Sequence, residues 1–128
     1  MEELELEVRD GCAVYRPVGS VTLAEGASLV TEGILATRRR NCQRLLIDIR
    51  GLTDFELPTL ADRYFFARAW ARAGAGMRMA MVLEEDLIDP RKFAVMVAQD
   101  HGLIADVFTE EEAAMTWLLS EALATPAS

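Results

Sequence analysis

Residues that usually carry chemistry are scarce in this chain. It has one histidine, His101, and two cysteines, Cys12 and Cys42. The cysteines lack C-x-x-C spacing. They read as small buried side chains of a reduced, cytoplasmic protein rather than as a disulfide or a metal pair. A metal centre needs several His, Cys or well-spaced carboxylates, and the sequence offers no such set. His101 sits beside Gly102 at the end of a helical pattern, where it suits a helix-end cation. No Ser or Cys occupies a nucleophile elbow or triad pattern. Neither G-x-x-x-x-G-K nor G-x-G-x-x-G occurs, and Gly19 and Gly26 are too isolated to form a phosphate loop. No catalytic residue, metal or cofactor is therefore expected. No apolar run approaches the roughly 18 residues that span a bilayer. The opening Met-Glu-Glu-Leu-Glu has no basic stretch before an apolar one, so no signal peptide is expected. Repeats and low-complexity linkers are also missing.

What is present is enough for one core. The 128 residues are 52% hydrophobic and 27% charged, which fits a single domain over 1–124 with a frayed tail at 125–128. The net charge of −8 is unevenly spread. Residues 36–78 hold nine arginines against four acids, and the flanking segments are acidic. An acidic whole argues against nucleic-acid binding, which needs a basic footprint. The basic middle either pairs with the acidic ends inside the fold or offers an Arg-bearing face to an acidic partner.

The chain is organised around residues 44–59. Leu45 to Ile49 is a short apolar run that suits a buried parallel strand. Ahead of it, Leu4, Leu6 and Val8 alternate with charged residues, Asp10-Gly11 signals a hairpin, and Cys12 to Val18 reads as a second strand. Pro17 implies that the far end of that strand lies at an edge or stops pairing. Thr22 to Glu25 is a capping box, and Leu23, Ala27, Val30 and Ile34 form one apolar helical stripe. Arg38, Arg39 and Arg40 close that helix at the negative end of its dipole. After the central strand comes a polar loop, then a helix over Thr59–Ala73 with Asp62 placed to close a cap on Thr59. Met79 to Leu83 is a fourth strand. Glu84, Glu85 and Asp86 read as a solvated loop rather than a cation site. Asp89-Pro90 is an N-cap with Pro at N1, opening a helix that carries Phe93, Met96 and Val97 to Gly102. Ile104 to Phe108 is a fifth strand, and Thr109 to Glu112 is a further capping box for a last helix. The order β-β-α-β-α-β-α-β-α implies an α/β fold, a five-stranded mixed sheet with four helices. Leu46, Ile47, Ile49, Ala80 and Val82 are expected to be buried in it.

This order resembles the STAS superfamily, the anti-anti-sigma factor domains of SpoIIAA type. The resemblance rests on Leu46-Ile47-Asp48-Ile49 followed by Gly51 through Leu60. In the family pattern a strand with an L-D-L core leads to a hydroxyl residue and then to D-S-[ST]-G at a helix start. A partner kinase phosphorylates the second hydroxyl. Asp48 matches the strand aspartate, Thr53 the loop hydroxyl and Glu56 the motif acid. Leu57, Pro58 and Thr59 replace S-[ST]-G, so Pro58 stands where the acceptor would be. The chain is more similar to the SpoIIAA-like branch grouped with CRAL-TRIO lipid-binding folds. The resemblance implies a bacterial protein with a partner-binding edge.

Two functions stay open. One is a non-catalytic regulatory domain that binds another protein, or itself as a homodimer. Its site residues are Thr53, Asp54, Glu56, Thr59, Arg63, Phe66, Arg68 and Trp70, on a loop held by a rigid scaffold and on the helix after it. The other is a small-molecule or lipid-binding module, with Tyr64, Phe65, Phe66 and Trp70 lining an apolar pocket. An enzyme comes third. Asp48 and Asp54 are the carboxylates it would use, although Asp48 is expected to hydrogen-bond local backbone instead.

Overall fold

The computed structural model describes residues 5–120. The expected contribution of Leu4 and the tail at 125–128 lie outside them. In chain order the elements are β1 (Glu7–Arg9), β2 (Cys12–Tyr15), β3 (Gly19–Ser20), α1 (Leu23–Arg39), β4 (Arg44–Asp48) and β5 (Leu52–Thr53). Then follow α2 (Leu60–Gly74), β6 (Arg78–Val82), a 3-10 turn (Glu85–Leu87), α3 (Phe93–Asp100), β7 (Ile104–Phe108) and α4 (Glu111–Leu118). Five strands form one mixed sheet in the order β1-β2-β4-β6-β7. β1 runs antiparallel to β2 and the other pairings are parallel.

β4 is central because both its faces are apolar and both its edges are paired. Leu46 lies opposite Val14 on one side and Ala80 on the other. Alternation sends Leu45 and Ile47 to a core shared with Val30, Ile34, Ala67, Ala71 and Val97 of α1, α2 and α3. Leu46, Ala80 and Val82 face a smaller core closed by Ala114 and Leu118 of α4. Leu46, Ile47, Ala80 and Val82 are buried as expected, while Ile49 is half-buried because it follows the strand rather than lying in it.

Several local expectations need correction. β1 has only three residues, all exposed, with Val8 53% accessible. β2 stops at Tyr15, and the chain after Pro17 makes a separate pairing. There Gly19–Ser20 lies parallel to Leu52–Thr53, inside what was expected to be plain loop. Two-residue strands carry no periodicity from which to read them. The Asp89-Pro90 cap does not start α3. Asp89 accepts N–H bonds from Arg91 and Phe93 and forms a turn, and the helix begins after Lys92, which is left-handed at φ 52°. Met96 of α3 is exposed, while Val97 beside it is buried. α4 has Glu110 at its N-cap with no side-chain cap bond, so the expected box at Thr109 is absent. The boxes Thr22/Glu25 and Thr59/Asp62 both form, each with two reciprocal bonds.

α4 is short and is held at its ends. Beneath its C-terminus, buried Arg78 donates to Trp117 O at 2.9 Å and lies 5.3 Å from the centre of the Trp117 ring. Burial, with Arg44 nearby, pushes the Arg78 pKa down from its usual value. The helix-end carbonyl and the ring face are the groups that favour its charge.

On the other face α1 crosses β2 closely at Gly33, where an added Cβ would sit 2.7 Å from the buried Tyr15 ring. At Gly26 an added Cβ would meet only ordinary contacts, the nearest at 3.6 Å. Ala is favoured over Gly inside a helix by about 1 kcal/mol, and overpacking costs about 1–3 kcal/mol. Gly26→Ala is therefore expected to raise the urea midpoint and Gly33→Ala to lower it. Equal shifts in the two variants would refute this account of how α1 packs.

Candidate functional site

At the carboxyl end of the sheet the three helices on one face do not close. A partly open cavity of about 130 Å³ lies there, with an almost wholly apolar wall. Ile49 and Leu83, the residues just after β4 and β6, form part of its floor. Such an edge is the usual binding position in open α/β sheets. The cavity has a compositional cause. Small residues meet across it, Gly26 and Ala27 from α1, Ala67 from α2, and Ala94 and Ala98 from α3. Well-packed cores interleave large with small.

Two aromatics give the cavity a rigid side. Phe66 and Trp70, one turn apart on α2, stack with ring centres 5.8 Å apart. Trp70 Nε1 donates to Ala27 O at 3.1 Å, tying α2 to α1. Of the four aromatics expected to line a pocket, only Phe66 and Trp70 do so. Tyr64 packs against Phe93, and Phe65 is 64% exposed. Phe65 points about 100° away from Phe66 around the helix, and that turn carries it to solvent.

The loop 53–59 roofs this region. Phe55 and Pro58 face the cavity and are half-buried, while Leu57 between them is 65% exposed. Asp54 is left-handed at φ 71°, a conformation that aspartate tolerates better than most residues. Thr53 Oγ1 lies 3.3 Å from Asp54 Oδ2 and 3.4 Å from Gly19 O. Thr59 caps α2, its hydroxyl accepting from Asp62 N at 3.0 Å, and Glu56 is exposed. Arg63 reaches across to donate to Leu87 O at 3.1 Å, and Arg68 lies over the Tyr64 ring. The structure thus brings Arg63, Phe66 and Trp70 to the cavity and leaves Thr53, Asp54, Glu56 and Thr59 on the outer surface. The cavity residues of α1 and α3 were not anticipated. Their only signal is the run of small residues, Gly26-Ala27 and the i, i+4 pair Ala94 and Ala98.

Asp48 is taken up by Arg50. By alternation it faces the α4 side, where both its oxygens accept from the Arg50 guanidinium, the shorter bond being 2.8 Å, and Oδ1 also accepts Arg50 N. Alongside, Arg16 grips Glu111 through two bonds of 2.8 and 2.9 Å and reaches Glu7. Among the described residues no group of three His, Cys, Asp or Glu stands together to hold a metal. Both thiols are free, and burial pushes that of Cys12 up. His101 Nδ1 lies 2.9 Å from Val97 O at the end of α3. No helix among the described residues is long and apolar enough to cross a membrane. No family model and no curated protein matches the chain.

The Asp48 cluster sets an acid limit. Burial pushes this carboxyl up, but the hydrogen bonds it accepts from the Arg50 side chain and backbone outweigh that and hold its pKa below the ordinary aspartate value. A carboxylate depressed in the folded state adds stability above its unfolded pKa and loses it as pH falls toward the folded value. Urea unfolding between pH 7 and pH 3 is expected to show wild type losing stability below about pH 4.5. Asp48→Asn is expected to lose about 1–2 kcal/mol at pH 7 and to fall less steeply in acid. Parallel curves for the two proteins would contradict this assignment.

Proposed function

We propose that this chain is a non-catalytic regulatory domain that binds another protein through loop 53–59 and the start of α2. The observation that carries this reading is the exposure of three large apolar side chains within one short segment. Leu57 is 65%, Leu60 61% and Phe65 64% accessible. Exposed apolar groups gathered in this way mark interaction surfaces. Thr53, Asp54, Glu56 and Thr59 supply a polar rim, and Arg72 adds an exposed positive charge further along the helix. The reading keeps the resemblance to anti-sigma factor antagonists in a bacterial cytoplasm but not their serine switch, since Pro58 has no hydroxyl. A second copy of the chain is one partner that fits.

The cavity supports a second reading, a small-molecule or lipid-binding module. An apolar hollow at the sheet's carboxyl edge, with one rigid aromatic side, has the features of a ligand site.

The surface is tested by sedimentation of the purified protein and by capture of partners from its source cell, using wild type, Leu57→Ser and Phe65→Ala. Loss of an exposed anchor is expected to weaken association by at least about 2 kcal/mol, roughly 30-fold, while circular dichroism stays unchanged. A monomeric wild type whose captured partners survive both substitutions would remove this surface from consideration.

A further inference from the structure

We infer that the cavity takes one compact, uncharged, apolar molecule, an aromatic hydrocarbon or one of similar size and polarity, rather than an extended acyl chain. The inference rests on the ligand-binding reading above and narrows it. Size is the first ground. A cavity of about 130 Å³ is close to the engineered hollow of about 150 Å³ that holds benzene. That scale admits on the order of six to ten heavy atoms. A long acyl chain exceeds this space and would leave most of its length outside the opening.

Charge is the second ground. The ionic groups at the rim already have partners. Arg63 donates to Leu87 O, Lys92 pairs with Asp106 at 2.9 Å, and Asp89 accepts the N–H groups of Arg91 and Phe93. The Trp70 indole N–H is likewise used, on Ala27 O. The wall inside this rim is almost wholly apolar, so a carboxylate drawn into the hollow would be buried without a partner, whereas an uncharged molecule meets no such cost. Shape is the third ground. The stacked Phe66–Trp70 pair offers aromatic surface on one side, and the small side chains of α1 and α3 leave room opposite.

The test is titration of the full chain with toluene, decanoate and palmitate, followed by amide and indole N–H resonances. Toluene is expected to saturate one site and to shift Gly26, Ala67 and the Trp70 indole. Ala67→Met, which puts a longer side chain into the hollow, is expected to weaken toluene at least tenfold while urea unfolding shows a folded protein. Should that variant not fold, Phe66→Ala serves instead, and widening the hollow is expected to shift preference from toluene to naphthalene. Binding of decanoate or palmitate without toluene would overturn the size and charge argument yet leave the ligand-binding reading standing. No binding by any of the three would overturn both. Toluene binding untouched by either substitution would place it elsewhere and overturn the inference.

Discussion

The structure depends on β4 being paired on both edges. Its parallel ladders run from Leu45 to Ile47 against β2 and from Arg44 to Asp48 against β6, and its side chains divide between two cores. Leu45 and Ile47 commit one face to α1, α2 and α3, and Leu46 commits the other to α4. A shift of one residue would exchange these sets and put Asp48 into the larger core, where a charge without a partner is costly. The unequal cover has consequences. An eight-residue helix closes one whole face. It depends on fixings at both ends, Arg78 beneath its last turn and the Arg16–Glu111 bond at its first. The polar groups of this face thus have structural work, and the opposite face is left to supply a hollow.

That hollow follows from how α1 meets the sheet. The helix is tight at Gly33 and slack at Gly26, two turns earlier. Tyr15 fills the space at one end, and only small side chains meet at the other. Trp70 bridges the slack end through Ala27 O rather than filling it. Its indole must serve a hydrogen bond and a ring stack together, which fixes where the ring lies.

Much of the frame was legible from residue pattern. The buried strand read over Leu45 to Ile49 forms one residue earlier, at Arg44–Asp48, Ile104–Phe108 had the observed bounds, and two capping boxes stood in the sequence as they stand in space. The losses have separate physical causes. β3 and β5 are too short for a period to register. At Asp89 the same side-chain bonds that cap a helix can close a turn, and the left-handed Lys92 shows that the turn won. On α2 the aromatics were visible, but their division was not. Which of Phe65 and Phe66 turns inward depends on the contact of Trp70 with Ala27, forty-three positions away in the chain. Sequence spacing relates residues within a helix and is silent on the neighbour against which the helix will lie.

The division of α2 and its loop gives the two proposed activities a physical connection. Phe55 and Pro58 look down into the cavity and Leu57, between them, looks out. Phe66 and Phe65 repeat that arrangement on the helix. Anything held in the cavity therefore touches the underside of the segment whose upper side carries the exposed apolar groups. An occupant that restrains Phe55 and Pro58 reduces the freedom that a partner must otherwise remove when it docks on Leu57. The coupling between two such sites is reciprocal, so a partner that stiffens the loop must tighten the occupant by the same factor. For the regulatory domain proposed above, which lacks a phosphate switch, occupancy of the apolar hollow beneath loop 53–59 would be a variable for it to report.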